Sequence, residues 1–194
     1  MSDKRFENMN KLVTKYSKRG YIILDVGSGL HKIQVKGCKV IGLDSRKLPT
    51  VDVQHDLEQT PLPFKDNSFD IAFSYGVLEH INNLPELVKE VYRILKNGGK
   101  FISFVPHFST ITAVCDADHI RFFSSQSFYT FDKDNEFNYF NTKFKVKTRI
   151  LFHTFLKPFE PIFNYGIFKK LYEGTVLRNI IPCFLIFIEM TKEE

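Results

Sequence analysis

Tyr21-Ile-Ile-Leu-Asp25-Val-Gly-Ser-Gly29 decides the reading of this 194-residue chain. A short apolar run ends in a carboxylate and then in Gly-x-Gly, which reads as a buried strand feeding a tight turn. Lys39 to Leu43, ending at Asp44, repeats the pattern, and Val51 to His55 and Phe69 to Ser74 read as third and fourth strands. Pro61, Pro63 and Asp66-Asn67-Ser68 separate the last two with turn signals. Leu84, Leu87, Val88, Val91, Ile94 and Leu95 then fall on one helical face, after an Asn83 to Glu86 capping pattern and before Gly98-Gly99 as terminator. Lys100 to Val105 follows as a fifth strand. Strands alternating with helices predict an open parallel α/β sheet, whose ligands sit beyond the C-terminal ends of the strands. Asp25, Asp44, Asp56, Ser74 and Pro106 should therefore surround the site.

Working outward, residues 4 to 18 carry Phe6, Met9, Leu12, Val13 and Tyr16 at helical spacing and predict an amphipathic lead-in helix. After Pro106 the alternation gives way to an irregular stretch, a short helix near Ser125 to Phe131, a strand from Lys143 to Phe152 and a last strand at Phe184 to Glu189. The two late strands are expected to pair antiparallel, with the final one inserted beside the fifth. The expected organisation is one domain over 1–194: a ligand-binding core at 21–106, an insert or lid at 107–142, and C-terminal strands with an acceptor-side region at 143–194.

Composition excludes several classes. With 43% hydrophobic and 25% charged residues the chain has the balance of a globular domain, not of a disordered or collagen-like one. Cys38, Cys115 and Cys183 are odd in number and lack Cys-x-x-Cys spacing, so neither a disulfide framework nor a zinc knuckle is indicated. Met1 to Lys11 is polar and has no apolar signal region, and the longest nearly apolar run, Ile180 to Ile188, is nine residues broken by Pro182. A cytoplasmic protein without a membrane span is expected. The net charge of +5 is concentrated in residues 143–178, where eight basic side chains face two acidic ones. Twelve of the 21 phenylalanines lie between Phe122 and Phe168. Basic and aromatic residues together suit a solvated face over an aromatic core, a lid over a greasy substrate, or an anionic partner such as nucleic acid.

The first turn is informative about the ligand. A dinucleotide site uses Gly-x-Gly-x-x-Gly to bring a helix N-terminus to a pyrophosphate; here the third glycine is absent and a carboxylate precedes the first. Asp25 would repel phosphate and welcome a cation. Asp44 is placed to accept both hydroxyls of a ribose, and Asp56 to accept from an adenine amino group. Together these describe a nucleoside with a positive, phosphate-free tail, as in S-adenosylmethionine.

Five ordered blocks carry a family resemblance: Ile23-Leu-Asp-Val-Gly-Ser-Gly29, Gly42-Leu-Asp44, Leu62-Pro-Phe-x-Asp-Asn-Ser-Phe-Asp70, Val77-Leu-Glu-His-Ile81 and Arg93-Ile-Leu-Lys-Asn-Gly-Gly99. They resemble the class I S-adenosylmethionine-dependent methyltransferases of the type 11 kind, strongly over 21–106 and weakly beyond. The resemblance implies a Rossmann-like, mostly parallel seven-stranded sheet with an antiparallel C-terminal strand and helices on both faces. It places Asp25, Gly27 and Gly29 around the methionine moiety, Asp44 on the ribose, Asp56 with Leu57 at the adenine, and Ser74 and Tyr75 along the methyl-transfer face. His31 stands where the family's third glycine would be, and only 19 residues separate Asp25 from Asp44. The first crossover helix is therefore expected to be stunted.

Val105-Pro-His-Phe-Ser109 and Asp116-x-x-His-x-Arg-Phe-Phe-Ser124 are similar to a subgroup of small methyltransferases without a uniform substrate. His107 and His119 are the expected catalytic bases, needed only for a protonated acceptor such as a hydroxyl; His80, Asp116 and Arg121 are expected at the substrate. His107, Asp116 and His119 could instead ligate a metal, but no complete ligand set is evident and no metal is expected. The expected reaction is methyl transfer to a small-molecule, sugar or lipid-linked acceptor. A nucleic-acid methyltransferase and a non-catalytic cofactor-binding partner subunit are the alternatives.

Overall fold

The structure, a computed structural model, describes residues 3–136, 139–152 and 156–193, and side chains from residue 7 onward; Phe6 of the lead-in helix, Phe137 and Phe155 lie outside the described side chains. Seven strands form one sheet: β1 (Ile22–Val26), β2 (Lys39–Asp44), β3 (Val53–Gln54), β4 (Phe69–Tyr75), β5 (Leu95–Pro106), β6 (Phe144–Leu151) and β7 (Leu185–Lys192). Their order across the sheet is β3-β2-β1-β4-β5-β7-β6. The first five run parallel, while β7 lies antiparallel between β5 and β6. The expected insertion of the last strand beside the fifth is what forms.

Both sheet faces are covered, which is why β1 and β4 read as continuous apolar runs. On one face α2 (Leu84–Ile94) packs Leu87, Val88 and Val91 against Leu24, Ala72 and Phe101. Five buried α2 side chains contribute roughly 10 kcal/mol, comparable to the cost of ordering the helix, so packing rather than intrinsic propensity makes it form. On the other face α1 (Asp3–Tyr16) sets Met9 and Val13 against Ile23, Ile71, Phe73 and Ile102.

Four local details differ from the sequence reading. No helix forms in 27–38: Ile33 and Val35 instead reach into the α1 cluster from an extended loop, held where the Gln34 amide donates to Asn10 Oδ1 at 2.9 Å. With turns at each end, that connection has too few residues for a useful helix, and α1 covers the face instead. α2 stops at Ile94, short of Gly98-Gly99, because Leu95 is already extended and pairs with Phe69. The third strand keeps only Val53–Gln54, and the short helix near 125–131 is a 3₁₀ turn at Tyr129–Phe131.

Beyond β5 comes α3 (Ile111–Val114), and β6 is joined to β7 by α4 (Glu160–Phe163), α5 (Gly166–Gly174) and α6 (Leu177–Ile180). Leu185 pairs with both Leu151 and Pro106, so this helical connection sits at the C-terminal end of β5. Among the described residues no helix is long and apolar enough to cross a membrane.

Lys192, only 8% exposed, locks the last strand in register. Its Nζ donates to Asn67 Oδ1 at 3.0 Å, Tyr92 O at 2.9 Å and Leu95 O at 2.7 Å. Replacing it with Met keeps the aliphatic stem and strands three acceptors. Lys192→Met should therefore cost about 2 kcal/mol, read as a melting temperature lower by about 6 °C. An unchanged melting temperature would show that the ammonium does not hold β7.

Candidate functional site

The turn after β1 is built by sterics. Gly27 has φ +70°, and a Cβ there would lie 2.5 Å from Val77 Cγ2, so only glycine lets this turn pass under the loop that follows β4. The turn's amides are spent within the protein: Gly27 N–H and Ser28 N–H donate to Leu43 O, and Gly29 N–H donates to Asp44 Oδ2 at 2.9 Å. Glycine here permits close approach rather than supplying free donors. Ser28 Oγ is buried without a hydrogen-bond partner.

Above the turn opens a cavity of about 650 Å³. Gly27, Asp44, Asp56, Leu57 and His80 line it, as the sequence expects. Asp56, exposed at the end of β3, folds its Oδ1 back on Glu58 N–H at 3.0 Å, which fixes the loop carrying Leu57. Arg46, Gly76 and Val77 also line the cavity and escaped the sequence reading. A glycine one residue past the fourth strand was the available signal for Gly76, whereas the Arg46 contact depends on a turn geometry no spacing announces.

Asp44 is the most heavily used carboxylate. Its Oδ1 accepts from Arg46 N–H at 2.9 Å and Arg46 Nε at 3.0 Å, while Oδ2 accepts from Gly29 and, at 3.4 Å, from Arg46 Nη2. Burial pushes this carboxyl up, but the Arg46 and Gly29 donors outweigh burial and hold it below the usual carboxylate range. Because the Arg46 side chain is 64% exposed, it can swing into water at little cost and leave Asp44 Oδ1 free to accept other donors.

Several expected residues stand elsewhere. Asp25 is buried beneath the turn, its Oδ2 accepting Ile33 N–H at 2.8 Å. Ser74 points into the sheet and donates to Ser103 Oγ at 2.7 Å, and Tyr75 turns to the α1 face against Phe104. Strand alternation thus carries both away from the cavity, which Gly76 meets instead. Arg121 spends its guanidinium on Ile81 O at 2.7 Å and on Asn82 O, bracing the loop after β4 rather than offering an anion site. Asp116 forms a local turn with Asp118 N–H at 3.0 Å.

The two expected bases separate. His107 is fully buried at the end of β5: Nδ1 accepts Ser109 N–H at 3.2 Å, so Nε2 carries the proton and donates to Glu173 Oε1 at 3.1 Å. Glu173 also accepts Ser125 N–H and Oγ–H, each at 2.7 Å. His107 does not line the cavity; it ties α5 to the sheet. His119 is close to His80, ring centres 4.7 Å apart, beside a cavity wall formed by Ala117, Asp118 and Ile120.

The family described as methyltransferase domain matches residues 24–103, the stretch holding β1 to β5 and most of the cavity wall. Residues 24–103 of this chain match the methyltransferase domain, and the sheet they build has the fold of the SAM-dependent methyltransferases. The whole fold superposes on a SAM-dependent methyltransferase from Archaeoglobus fulgidus with a TM-score of 0.65, covering 96% of this chain and 94% of that one at 16% identity. In sequence, the chain is 35% identical over 115 residues to the uncharacterized protein MJ0638 of Methanocaldococcus jannaschii, covering 52% of this chain and 48% of the relative. It is 36% identical over 67 residues to the sterol 4-C-methyltransferase strm-1 of Caenorhabditis elegans, covering 34% and 16%. The chain thus spans about half or less of the length of these curated relatives.

Among residues 24–103, burial pushes the Asp25 carboxyl up to about 7, well above the usual carboxylate range. The folded protein then keeps a proton that the unfolded chain releases near pH 4, so stability is full below that pH and is lost as pH rises through about 7, by up to about 4 kcal/mol. Asp25→Asn retains an acceptor for Ile33 N–H and cannot ionise. Urea unfolding at pH 5 and pH 8 should show a marked loss of stability in the wild type and a much smaller one in Asp25→Asn. Equal losses would mean that Asp25 is ionised throughout.

Proposed function

We propose that this chain transfers a methyl group from S-adenosylmethionine to a small acceptor of lipidic or lipid-linked chemistry. The observation that carries the cofactor assignment is the cavity itself, with a glycine floor that admits no Cβ and with Asp44 and Asp56 on its wall. Its volume suits a nucleoside-sized ligand, and its acceptors suit hydroxyl and amino donors and a cationic tail better than a phosphate. S-adenosylmethionine would supply a methyl already activated by its sulfonium.

The protein's share is then alignment and charge. Asp44 would hold the ribose diol once Arg46 swings aside, while Asp56 and Leu57 would flank the adenine. Asp25, poised near neutrality beneath the turn, would ionise toward an ammonium group and release its proton. His80 and His119 stand on the side left to the acceptor. His119 Nδ1 lies 3.1 Å from Ala113 O, which can only accept, so Nε2 faces the acceptor side with its lone pair. His107, held by Glu173, would keep the helical connection seated on the sheet.

Calorimetry should show binding of S-adenosylmethionine and S-adenosylhomocysteine with NAD and ATP negligible. Asp44→Ala should weaken both adenosyl ligands on the order of 100-fold, about 3 kcal/mol, through lost charged hydrogen bonds. Tight NAD binding, or unchanged affinity in a folded Asp44→Ala, would reject the assignment.

The acceptor class rests on the connection between β6 and β7. Phe159, Ile162, Tyr165, Ile167, Phe168 and Leu171 are all exposed there, and Val176, Leu177 and Ile180 extend the surface. Lys157 and Lys170 are exposed among them, while the acidic Glu173 is buried on His107. An apolar surface with basic flanks fits an anionic lipid interface. The sterol relative is in keeping with an apolar acceptor. Nucleic acid remains the second reading, because Lys145, Lys147 and Arg149 project from one face of β6. That strand, however, lies at the far edge of the sheet, roughly 14 Å beyond β4 at normal strand spacing. Arg149 already lies over the Phe187 ring at 4.5 Å.

Sedimentation with phosphatidylglycerol vesicles should carry the protein down, phosphatidylcholine vesicles much less so. Ile167→Asp with Leu171→Asp should reduce that binding at least about tenfold without changing S-adenosylhomocysteine affinity. Failure to bind vesicles, together with salt-sensitive RNA affinity lost in Lys145→Gln with Lys147→Gln, would transfer the preference to nucleic acid.

A further inference from the structure

Glu79, in the 3₁₀ turn Leu78–His80, presents an unusual group: its side chain is 2% exposed, and Oε2 is buried with no hydrogen-bond partner among the described residues. A carboxylate oxygen left in that condition is costly unless something of positive charge meets it. Two imidazoles face the same point. His119 Nε2 lies 3.9 Å from Glu79 Oε1, the ring of His80 stands edge-on to that of His119, and one ligand atom from each of the three residues falls within 4.8 Å of the others.

The proton positions follow from the backbone. His80 Nδ1 lies 3.2 Å from Asp118 O and His119 Nδ1 lies 3.1 Å from Ala113 O. A carbonyl only accepts, so both Nδ1 atoms carry hydrogen and both Nε2 atoms keep lone pairs. Imidazoles tethered this way through one nitrogen are oriented to ligate a metal through the other.

We propose that Glu79, His80 and His119 hold a zinc ion at the rim of the cavity. Two neutral imidazoles and a carboxylate form a borderline donor set that suits zinc, whereas magnesium and calcium prefer oxygen alone. Tetrahedral ligand atoms about 2.0–2.1 Å from zinc stand about 3.3 Å apart, so side-chain rotations closing the present spacings by up to about 1.5 Å complete the site. Asp116 Oδ2, 3.9 Å from His119 Nε2 on a half-exposed side chain, remains an outer neighbour. The fourth position is left for water or for an acceptor heteroatom, and that use alone rests on the methyl-transfer reading. A single water could satisfy Glu79 Oε2, but it would not account for two imidazoles whose protons are both turned away from the shared point.

The test uses the full chain after chelator treatment and dialysis, titrated with zinc chloride by calorimetry in the absence of any adenosyl ligand. One zinc per chain should bind, and His119→Ala and Glu79→Gln should weaken binding roughly 100-fold or more. Cys115→Ser should leave it unchanged, since that exposed thiol lies on the neighbouring loop without belonging to the site. Cobalt added in place of zinc should give the strong visible absorption of a four-coordinate ion. If either variant fails to fold by circular dichroism, the wild-type stoichiometry and cobalt spectrum still decide. Weak binding that is equal in wild type and variants, its loss in Cys115→Ser, or a six-coordinate cobalt spectrum would overturn the site. S-adenosylhomocysteine affinity measured on the same samples separates the two readings: zinc without adenosyl binding rejects only the methyl-transfer role, and adenosyl binding without zinc rejects only the metal.

Discussion

The contact of Gly27 with Val77 fixes where the cavity can open. With a Cβ excluded at 2.5 Å, the turn after β1 and the loop after β4 approach more closely than two side-chain-bearing segments could. These are adjacent strands, so their C-terminal ends would otherwise be separated by ordinary side chains. Everything that lines the cavity is hung from that junction. Asp44 reaches it from β2 through Gly29, and the 3₁₀ turn carrying Glu79 and His80 begins one residue after Val77. Val77 and Gly27 thus act as a shim, setting the distance between the loop after β1 and the loop after β4 on either side of the cavity.

Much of the scaffold was legible because it rests on local pattern. Apolar runs ending in Asp25 and Asp44 announced two parallel strands, and the stripe from Leu84 to Ile94 announced α2. What escaped rests on pairings between distant residues. α2 ends when Leu95 joins Phe69, a competition between ladder and helix that Gly98 does not reveal. Ser74 and Tyr75 were expected along the methyl-transfer face because they end β4, yet alternation sends one to Ser103 and the other to Phe104. Arg46 covers Asp44 from two residues away, a turn-level ion pair with no periodicity to betray it. Histidine roles were the least legible. Nothing in the residues beside His107 and His119 shows that one finds a buried carboxylate 66 positions along and that the other finds Glu79 across the cavity rim.

The chain beyond β5 is held by buried charge rather than by apolar packing alone. Glu173 brings four polar contacts together: His107 and both donors of Ser125 on its carboxylate, and the Arg178 guanidinium on its carbonyl. Burial alone would raise the Glu173 carboxyl, but the His107 and Ser125 hydrogen bonds reverse that and keep it below its usual range. An anion so fully satisfied can be buried, and its burial leaves the outer side of α5 free of acidic groups. Ile167, Phe168 and Leu171 are therefore exposed beside lysines, without carboxylates among them. The same glutamate that anchors the connection also removes negative charge from its outer face.

That economy of charge extends to two buried carboxyls near the cavity. Asp25 and Glu79 are both buried carboxyls whose solvation is lost, and burial raises both. Asp25 has one amide donor and lies under the turn, while Glu79 has an oxygen with none. Each would be offset by a positive group: under the proposed readings, the cationic tail of a nucleoside for Asp25 and an ion shared with two imidazoles for Glu79. The protein meets these costs before any ligand arrives, from the packing of α1 and α2 against the sheet. Binding energy then need not be spent on desolvating these carboxyls, and a cation entering either place recovers what folding gave up. Stability invested in two buried carboxyls near the cavity would thus favour a positively charged ligand at either one.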